Sequence, residues 1–255
     1  MNGRVENEMN ERIALIAGVG GGTGASLVRR FARGGYRVAM VARNAELLAK
    51  LEGEIAGARG YACDVADLKA LGEVVTRVQA ELGAPHVLVH NAVAATFAPI
   101  FEATVEDLER NFRVNTTSLF FLTQRLAPAM IERGEGAIMI TGNTSSFRGV
   151  PLRPAFAPTK AAQRVLAQSL SKDLGPKRVH VGYITIDAAI DAPWAASAPG
   201  IEGRELPAGW QHTREDYYAQ PDAIADEVYH IAHQHSSTWS FDHVIRPFAE
   251  QWTLN

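Results

Sequence analysis

Short apolar runs alternate with segments of helical periodicity along most of the chain. The runs are apolar almost throughout, which predicts strands buried on both faces of a sheet. Strands and helices in alternation with short links predict right-handed crossovers and a doubly wound, parallel α/β fold of the Rossmann type. The predicted strands are residues 12–17, 36–42, 59–63, 86–90, 137–141 and 179–186, with a seventh near Val244.

The predicted helices lie between these strands and cover both faces of the sheet. They occupy residues 25–33, 44–56, 68–82, 105–131 and 154–174. Asn44 suits the N-cap of the second helix, because its side chain can accept from a free backbone N–H. Pro128 predicts a bend at the end of the fourth helix.

Nothing in the sequence divides this alternation, so we predict one domain over residues 12–255. Residues 1–11 are polar, and we expect a disordered extension without a secretory signal. No apolar run is long enough to span a membrane. The 255-residue chain has a net charge of -3 and no basic stripe, which argues against nucleic-acid binding. Cys63 is its one cysteine, which excludes an internal disulfide and favours a reducing, cytoplasmic setting.

Residues 191–220 break the alternation and are rich in proline and glycine. We interpret this segment as a substrate lid, because it follows the sixth strand at the edge of the sheet where ligands bind. The alternative is an irregular surface insertion. Several aromatic residues could line an apolar substrate pocket, although ordinary core packing explains Phe97 and Phe101 equally well. The pocket candidates are Phe97, Phe101, Phe156, Trp194 and Trp210.

A glycine-rich loop joins the first predicted strand to the first predicted helix. It places Gly18, Gly20, Gly22 and Gly24 at intervals of two, with Thr23 before the last. Such a loop lets the backbone turn sharply and approach a phosphate, while the helix N-terminus presents free N–H groups. The strand-loop-helix context favours a dinucleotide site over a turn that binds nothing.

Arg43 follows the second predicted strand, at the position where an acidic residue would bind the ribose 2′-hydroxyl of NAD. A guanidinium group there can pair with a 2′-phosphate instead. The sequence therefore favours NADP(H) over NAD(H), with a solvated surface arginine as the alternative.

Further motifs follow the glycine loop in a fixed order. They are Gly18, Gly22 and Gly24 of the loop, Asp64-Val65 after the third strand, Asn91-Ala92 after the fourth, and Asn115 and Lys160 in helices. This series resembles the single-domain short-chain dehydrogenases/reductases over essentially the whole chain. His90 and Val93 depart from the family's pattern around Asn91-Ala92, and Asp187, Ala188 and Ala192 depart after the sixth strand.

The resemblance implies a nicotinamide dinucleotide site and a homodimer or homotetramer. By this resemblance, Asp64-Val65 would contact the adenine ring of the cofactor. Lys160 would contact the nicotinamide ribose, and the Ile190 backbone the nicotinamide amide. The residues that we expect to bind the cofactor are Gly18, Gly20, Gly22, Thr23, Gly24, Arg43, Asp64, Val65, Asn91, Ala92, Lys160 and Ile190.

The reaction centre departs from the family at two positions. Phe156 stands four residues before Lys160, where the family has its catalytic tyrosine. Asn143 stands where the family has its catalytic serine. The candidate catalytic positions are therefore Asn115, Asn143, Phe156 and Lys160. A phenyl ring has no proton to donate, and losing a general acid costs about 10²–10⁴-fold in rate.

Three hypotheses follow. In the first, the chain is an NADP(H)-dependent reductase of a small carbonyl, imine or conjugated enone with another proton source. Candidates for that source are water held by Lys160 and Asn115, or a hydroxyl of Thr144, Ser145 or Ser146. Second, the chain could bind the nucleotide as a weakened or regulatory protein. Third, the fold could serve a non-redox reaction with His90 or Asp187 as acid or base.

The histidines near the end of the chain, His90 and Cys63 have simpler interpretations. His230, His233 and His235 are spaced like metal ligands, but they lack a convincing carboxylate or cysteine partner, and we expect no metal. His90 fits a hydrogen-bonded histidine at a strand end, and Cys63 a small buried residue.

Overall fold

A computed structural model describes residues 12–193 and 214–249. Its seven strands form one parallel sheet in the order β3-β2-β1-β4-β5-β6-β7. The strands are β1 (Ile13–Ala17), β2 (Arg37–Ala42), β3 (Ala58–Ala62), β4 (Val87–His90), β5 (Gly136–Asn143), β6 (Val179–Ile186) and β7 (Asp242–Ile245). This is the Rossmann-like α/β fold that the alternation predicts.

Helices cover both faces of the sheet. They are α1 (Thr23–Arg33), α2 (Ala45–Glu54), α3 (Leu68–Glu81), α4 (Val105–Phe112), α5 (Ser118–Arg133), α6 (Ala157–Leu174), α7 (Arg214–Tyr217) and α8 (Pro221–Ala232). In β1, Leu15 and Ala17 belong to the core beneath α3, α5 and α6, whereas Ala14 and Ile16 belong to the core beneath α1, α2 and α8. The central strands are thus buried on both faces, as predicted. No helix in the described part of the chain is both long and apolar enough to cross a membrane.

The strand order reverses between β1 and β4. The chain moves outward from β1 through β2 to β3, and then returns to pair β4 with the other side of β1. At such a reversal the loops at the carboxyl ends of the two strands diverge and leave a crevice. The glycine loop follows β1, and Asn91 follows β4, so both lie at this crevice.

The region predicted as one helix over residues 105–131 is interrupted. A π-helical turn at Arg113–Thr117 separates α4 from α5. Helix α5 continues past Pro128 to Arg133, two residues beyond the predicted end, and stops at Gly134 in the left-handed conformation. Pro128 is exposed, so the carbonyl group that its missing N–H leaves unpaired can be hydrated.

Other boundaries differ from the sequence prediction by a few residues. Helix α6 begins at Ala157, later than predicted, since the residues before it form turns in which Leu152 has a φ of 64°. Strand β5 extends to Asn143, two residues beyond the predicted end. Strand β3, at the edge of the sheet, is only partly buried. Residues 1–11, Trp194, Trp210 and most of the predicted lid lie outside the described residues.

Candidate active site

The glycine loop is packed too tightly for side chains at two positions. Gly18 has a φ of 95°, and a Cβ there would lie 2.3 Å from the backbone nitrogen of Ala92. A Cβ on Gly24 would lie 2.7 Å from the carbonyl oxygen of Gly18. By contrast, a Cβ on Gly20 or Gly21 would meet open space. The loop is therefore fixed on its protein side and open on its outer side.

The N-terminus of α1 has no side-chain cap. Its N-cap is Gly22, whereas Asn44 and Asp67 accept backbone N–H groups at the starts of α2 and α3. Thr23, the first residue of α1, is buried. An uncapped helix start beside an open glycine loop suits an anionic phosphate, because the N–H groups and the helix dipole both favour negative charge. These residues fit the pyrophosphate of a dinucleotide.

Asn91 connects the glycine loop to β5. Its Nδ2 donates to the carbonyl oxygen of Gly18 at 2.8 Å, and its Oδ1 accepts from Thr141 Oγ1 at 3.0 Å. The backbone N–H of Asn91 donates to Ala17 at 2.8 Å. Asn91 and Ala92 therefore lie directly against the loop.

Charged side chains surround the ends of β2 and β3. Arg43 is exposed just after β2. Asp64 Oδ2 lies 2.7 Å from Arg110 Nη2, and its Oδ1 accepts from the backbone N–H of Ala66 at 3.0 Å. Burial raises the pKa of Asp64, but these hydrogen bonds and the charges of Arg110 and Arg43 outweigh it and lower the pKa below its usual value. Val65 is buried beside Asp64.

Lys160 lies on the buried face of α6 and is 2% exposed. Its Nζ donates to the carbonyl oxygen of Thr141 at 3.1 Å and to Oε1 of Gln163. Both acceptors are neutral. Burial without an anionic partner lowers the pKa of Lys160 to about 7.

Phe156 is the residue just before α6 and is 2% exposed. Its ring meets Phe97 edge to face, with 5.7 Å between the centroids. Its carbonyl oxygen accepts from Thr159 Oγ1 at 2.7 Å. Position 156 thus presents a buried phenyl ring and no hydroxyl, just before the helix that carries Lys160.

Asn143 ends β5 and caps the short 3-10 turn that follows. Its Oδ1 accepts from the backbone N–H of Ser145 at 3.0 Å, and its carbonyl oxygen accepts from Ser146 Oγ at 2.8 Å. Ser145 Oγ accepts from Arg153 Nη1 at 3.0 Å. The hydroxyls of Ser145 and Ser146 are therefore buried and hydrogen-bonded, while Thr144 is partly exposed.

Asn115 lies in the π-helical turn and is fully buried. Its Oδ1 accepts from the backbone N–H of Ala94 at 2.9 Å, and its Nδ2 donates to the Ala94 carbonyl and to Thr159 Oγ1, both at 2.8 Å. Its backbone carbonyl accepts from Gln163 Nε2 at 2.6 Å. The side chain of Asn115 thus joins the loop after β4, the π-helical turn and α6.

Ile190 lies beyond β6, beside Ala219. In the bridge between them, the Ala219 N–H donates to the Ala189 carbonyl at 2.9 Å, and the Asp191 N–H donates to the Ala219 carbonyl at 3.0 Å. The N–H of Ile190 takes no part in this bridge. Its backbone therefore lies at the carboxyl edge of the sheet, after β6.

The two acid–base candidates outside the family motif are buried. His90 is 0% exposed, with its ring nitrogens 2.8 Å from Ser118 Oγ and 3.3 Å from Gln163 Nε2. Burial and the charge of Lys160 lower the pKa of His90 to about 3. Asp187 is 4% exposed, and its Oδ2 lies 3.6 Å from Arg246 Nη1.

The structure places the remaining candidates as follows. Phe101 is 98% exposed, so its assignment to the core is wrong; it lies in a turn before α4. His233 stacks on Tyr229 and shares a 2.9 Å hydrogen bond with Tyr36. Cys63 is buried, and burial raises its pKa to about 11.

Sequence reasoning missed two residues, Gln163 and Thr141, that hold Lys160. The available signal was Gln163 itself, a polar residue one helical turn after Lys160 and therefore on the same buried face. The contribution of Thr141 is a backbone carbonyl, which no side-chain pattern reveals.

Known proteins resemble this chain over most of its length. Residues 12–193 match the family model for short chain dehydrogenases. The chain is 30% identical over 224 residues to 7α-hydroxysteroid dehydrogenase of Escherichia coli, with 86% of each chain covered. It is 32% identical over 180 residues to carbonyl reductase (NADPH) 2 of Sus scrofa, with 70% of this chain and 72% of the pig protein covered. A metagenomic short-chain oxidoreductase in complex with NADP aligns at a TM-score of 0.78 and 26% identity, covering 93% and 97% of the two chains.

Proposed function

The chain belongs to the short-chain dehydrogenase/reductase family of oxidoreductases, and from that premise we propose an NADP(H)-dependent reductase with an unusual proton source. The substrate class is a small carbonyl, imine or conjugated enone. For a carbonyl, a hydride adds to carbon and a proton adds to oxygen, so the acceptor gains two electrons and becomes an alcohol. When bound, NADPH supplies the hydride.

The glycine loop and the start of α1 supply the dinucleotide site in this proposal. The open space outside Gly20 and Gly21 and the uncapped N-terminus at Gly22 and Thr23 support it. Gly18 and Gly24 keep the loop close to Ala92 and to itself. A solved relative of this fold holds NADP.

Arg43 selects NADP(H) over NAD(H) in this proposal. Its guanidinium is exposed after β2 and can pair with the 2′-phosphate. Asp64-Val65 borders the adenine, with Asp64 held in place by Arg110. Ile190 offers a backbone N–H to the nicotinamide amide.

Lys160 supplies the proton, directly or through a water molecule. The observation that carries the proposal is its buried ammonium group, held by two neutral acceptors. Its ammonium group has three N–H donors, of which two are used on Thr141 and Gln163. The third is available to the ribose, to water or to the substrate oxygen. Asn143 accepts with its Oδ1 and keeps its Nδ2 for a hydrogen bond to that oxygen, while Phe156 with Phe97 offers an apolar wall. Asn115 acts structurally through the π-helical turn.

Domain extent, lid and assembly belong to the same proposal. One catalytic domain spans residues 12–255, with 191–220 as a lid over the substrate. The chain forms a homodimer or homotetramer through α5 and α6. Two apolar side chains on these helices support it, since Phe120 is 46% and Val165 58% exposed.

A direct assay tests the proposal. Purified protein is titrated with NADPH and NADH by nucleotide fluorescence, and then screened against carbonyl, imine and enone acceptors by loss of absorbance of the reduced nicotinamide. We expect NADPH to bind and at least one acceptor class to be reduced, with Lys160→Met inactive. Absence of NADPH binding overturns the proposal.

One observation favours a second candidate function. Phe156 gives the reaction centre no hydroxyl, so a nucleotide-binding protein without turnover would keep every cofactor contact described above. This second function predicts that the protein binds NADPH but reduces none of the acceptors. The non-redox alternative has less support, because His90 is fully buried and both its ring nitrogens lie within hydrogen-bonding distance of other side chains.

A further inference from the structure

Gln163 lies one turn after Lys160 on α6 and is 0% exposed. Its carboxamide meets three groups from different parts of the fold. Oε1 accepts from Lys160 Nζ, while Nε2 faces the Asn115 carbonyl at 2.6 Å and His90 Nδ1 at 3.3 Å. The carboxamide thus joins α6, the π-helical turn and β4 beneath the proposed reaction centre.

The hydrogen bonds around His90 fix the direction of this network. Ser118 Oγ donates to the Val114 carbonyl at 2.6 Å, so it must accept from His90 Nε2. His90 Nδ1 is then an acceptor and requires an N–H from Gln163 Nε2. Rotating the carboxamide would place an NH₂ against the Lys160 ammonium and an oxygen against the Asn115 carbonyl. Only one orientation of Gln163 satisfies every partner.

We propose that Gln163 is a positioning residue for Lys160. The carboxamide oxygen of Gln163 holds the Lys160 ammonium group against the Thr141 carbonyl and keeps it charged in a buried site. The proposal deepens the proposed function and rests on it for the catalytic role of Lys160. Thr141 is in turn bonded to Asn91, so the position of Nζ is connected to that of the glycine loop.

The physical reason is the lack of an anion near Lys160. Burial is what lowers its pKa, and in the described part of the chain no charged group offsets that effect. His90 from β4 is the titratable group that faces it through Gln163, and the fixed tautomer keeps His90 neutral. Thr141 from β5 and Gln163 from α6 itself face Lys160 with neutral acceptors. The Thr141 carbonyl and Gln163 Oε1 therefore stabilise the ammonium form, because hydrogen bonds to a charged group are stronger than those between neutral groups.

Lysine NMR tests the proposal without requiring turnover. The chain contains five lysines, Lys50, Lys69, Lys160, Lys172 and Lys177, so a sample labelled with ¹³C at lysine Cε gives a simple spectrum. Lys160→Arg assigns its signal. The midpoint of the Lys160 titration is then measured in the wild type, Gln163→Met, Gln163→Glu and Gln168→Met. Gln168 is a partly buried glutamine on the same helix and serves as the matched control.

We expect the two substitutions at position 163 to act differently. Methionine has a similar volume but removes the acceptor, so the Lys160 midpoint falls by about one pH unit or more. Glutamate retains an oxygen beside Nζ whether it is ionised or protonated, so the midpoint stays at the wild-type value or rises. Gln168→Met leaves it unchanged.

A purely structural role for Gln163 predicts another pattern. Both variants would then lose thermal stability while leaving the Lys160 midpoint within a few tenths of a pH unit of the wild type, or would lower it equally. Either result overturns the proposal. Because the measurement needs no substrate, a protein without reductase activity can still show the midpoint shift, and an active reductase can still fail to show it.

Discussion

Asn91 donates to the Gly18 carbonyl at 2.8 Å, and this bond connects the glycine loop to the far side of the crevice. The same side chain accepts from Thr141, whose carbonyl holds Lys160. One amide group therefore sets the distance between the proposed pyrophosphate site and the proposed proton source. Cofactor binding and catalysis should consequently both respond to changes at Asn91.

Replacing Asn91 with leucine removes both hydrogen bonds while keeping the branched shape of the side chain. Each bond contributes about 1 kcal/mol, so we expect NADPH affinity to fall roughly tenfold, measured by fluorescence titration. Thr141→Val is the matched control, because it loses one of the two bonds and keeps the carbonyl for Lys160; its effect should be smaller. Unchanged NADPH affinity in Asn91→Leu would show that the loop is fixed by its backbone alone.

Arg43→Ala tests the choice of cofactor. A charge-assisted pair with the 2′-phosphate contributes about 1.5–3 kcal/mol, so NADPH affinity should fall about 10–100-fold while NADH affinity changes little. Arg33→Ala is the control, because Arg33 is also exposed but lies at the C-terminal end of α1. It should alter the affinity for neither nucleotide. Calorimetric titration with both nucleotides measures the ratio, and equal losses for the two would contradict the role given to Arg43.

The sequence predicted the sheet because its central strands are buried on both faces, and burial imposes an apolar composition. The interruption at Arg113–Thr117 escaped prediction because a π-helical turn changes hydrogen-bond spacing without changing the apolar pattern. The predicted helix ends at residue 131, whereas α5 continues to Arg133 with Pro128 inside it. An exposed proline such as Pro128 costs less than a buried one, because water can reach the unpaired carbonyl.

Family motifs singled out Asn91, Lys160 and the glycines, and the structure joins Asn91 to Gly18 and, through Thr141, to Lys160. Gln163 was missed because it belongs to no motif and acts through a network that only the packing of α6 creates. Phe101 was misplaced because composition alone does not distinguish a buried aromatic residue from one exposed in a turn.

Lys160→Met should change how folding stability depends on pH. The pKa of Lys160 is about 7 in the folded chain and 10.5 in the reference state. Between these values the unfolded chain binds one more proton, so Lys160 makes wild-type stability rise with pH, by about 1.4 kcal/mol per unit. Below pH 7 its burial penalty is constant.

Urea unfolding of wild type and Lys160→Met at pH 6, 8 and 9 measures this difference. The stability of the wild type relative to the variant should rise from pH 8 to pH 9 by about 1.4 kcal/mol. Lys172→Met, on the exposed end of the same helix, is the control and should show no such slope. A parallel pH dependence for wild type and Lys160→Met would mean that Lys160 has an ordinary pKa.

The proposed assembly gives a simple solution test. Val165 is 58% exposed on α6, and a carboxylate there would be buried without a partner in a packed helix pair. Val165→Asp should therefore shift a dimer or tetramer toward smaller species in light scattering coupled to size exclusion. Lys50→Asp on the exposed surface of α2 should leave the mass unchanged. A monomeric wild type would contradict the proposed assembly.

Phe156→Tyr separates a reductase with an unusual proton source from a nucleotide-binding protein. The change adds one hydroxyl to a buried ring just before the helix that carries Lys160, and a well-placed general acid contributes about 10²–10⁴-fold. If Lys160 already supplies the proton, wild-type protein reduces an acceptor and the variant gains less than this range. If the wild type reduces nothing and the variant gains strong carbonyl reduction, the binding function is supported and the reductase proposal fails. Phe97→Tyr, on the neighbouring ring at 5.7 Å, is the control and should not increase the rate, measured by oxidation of NADPH.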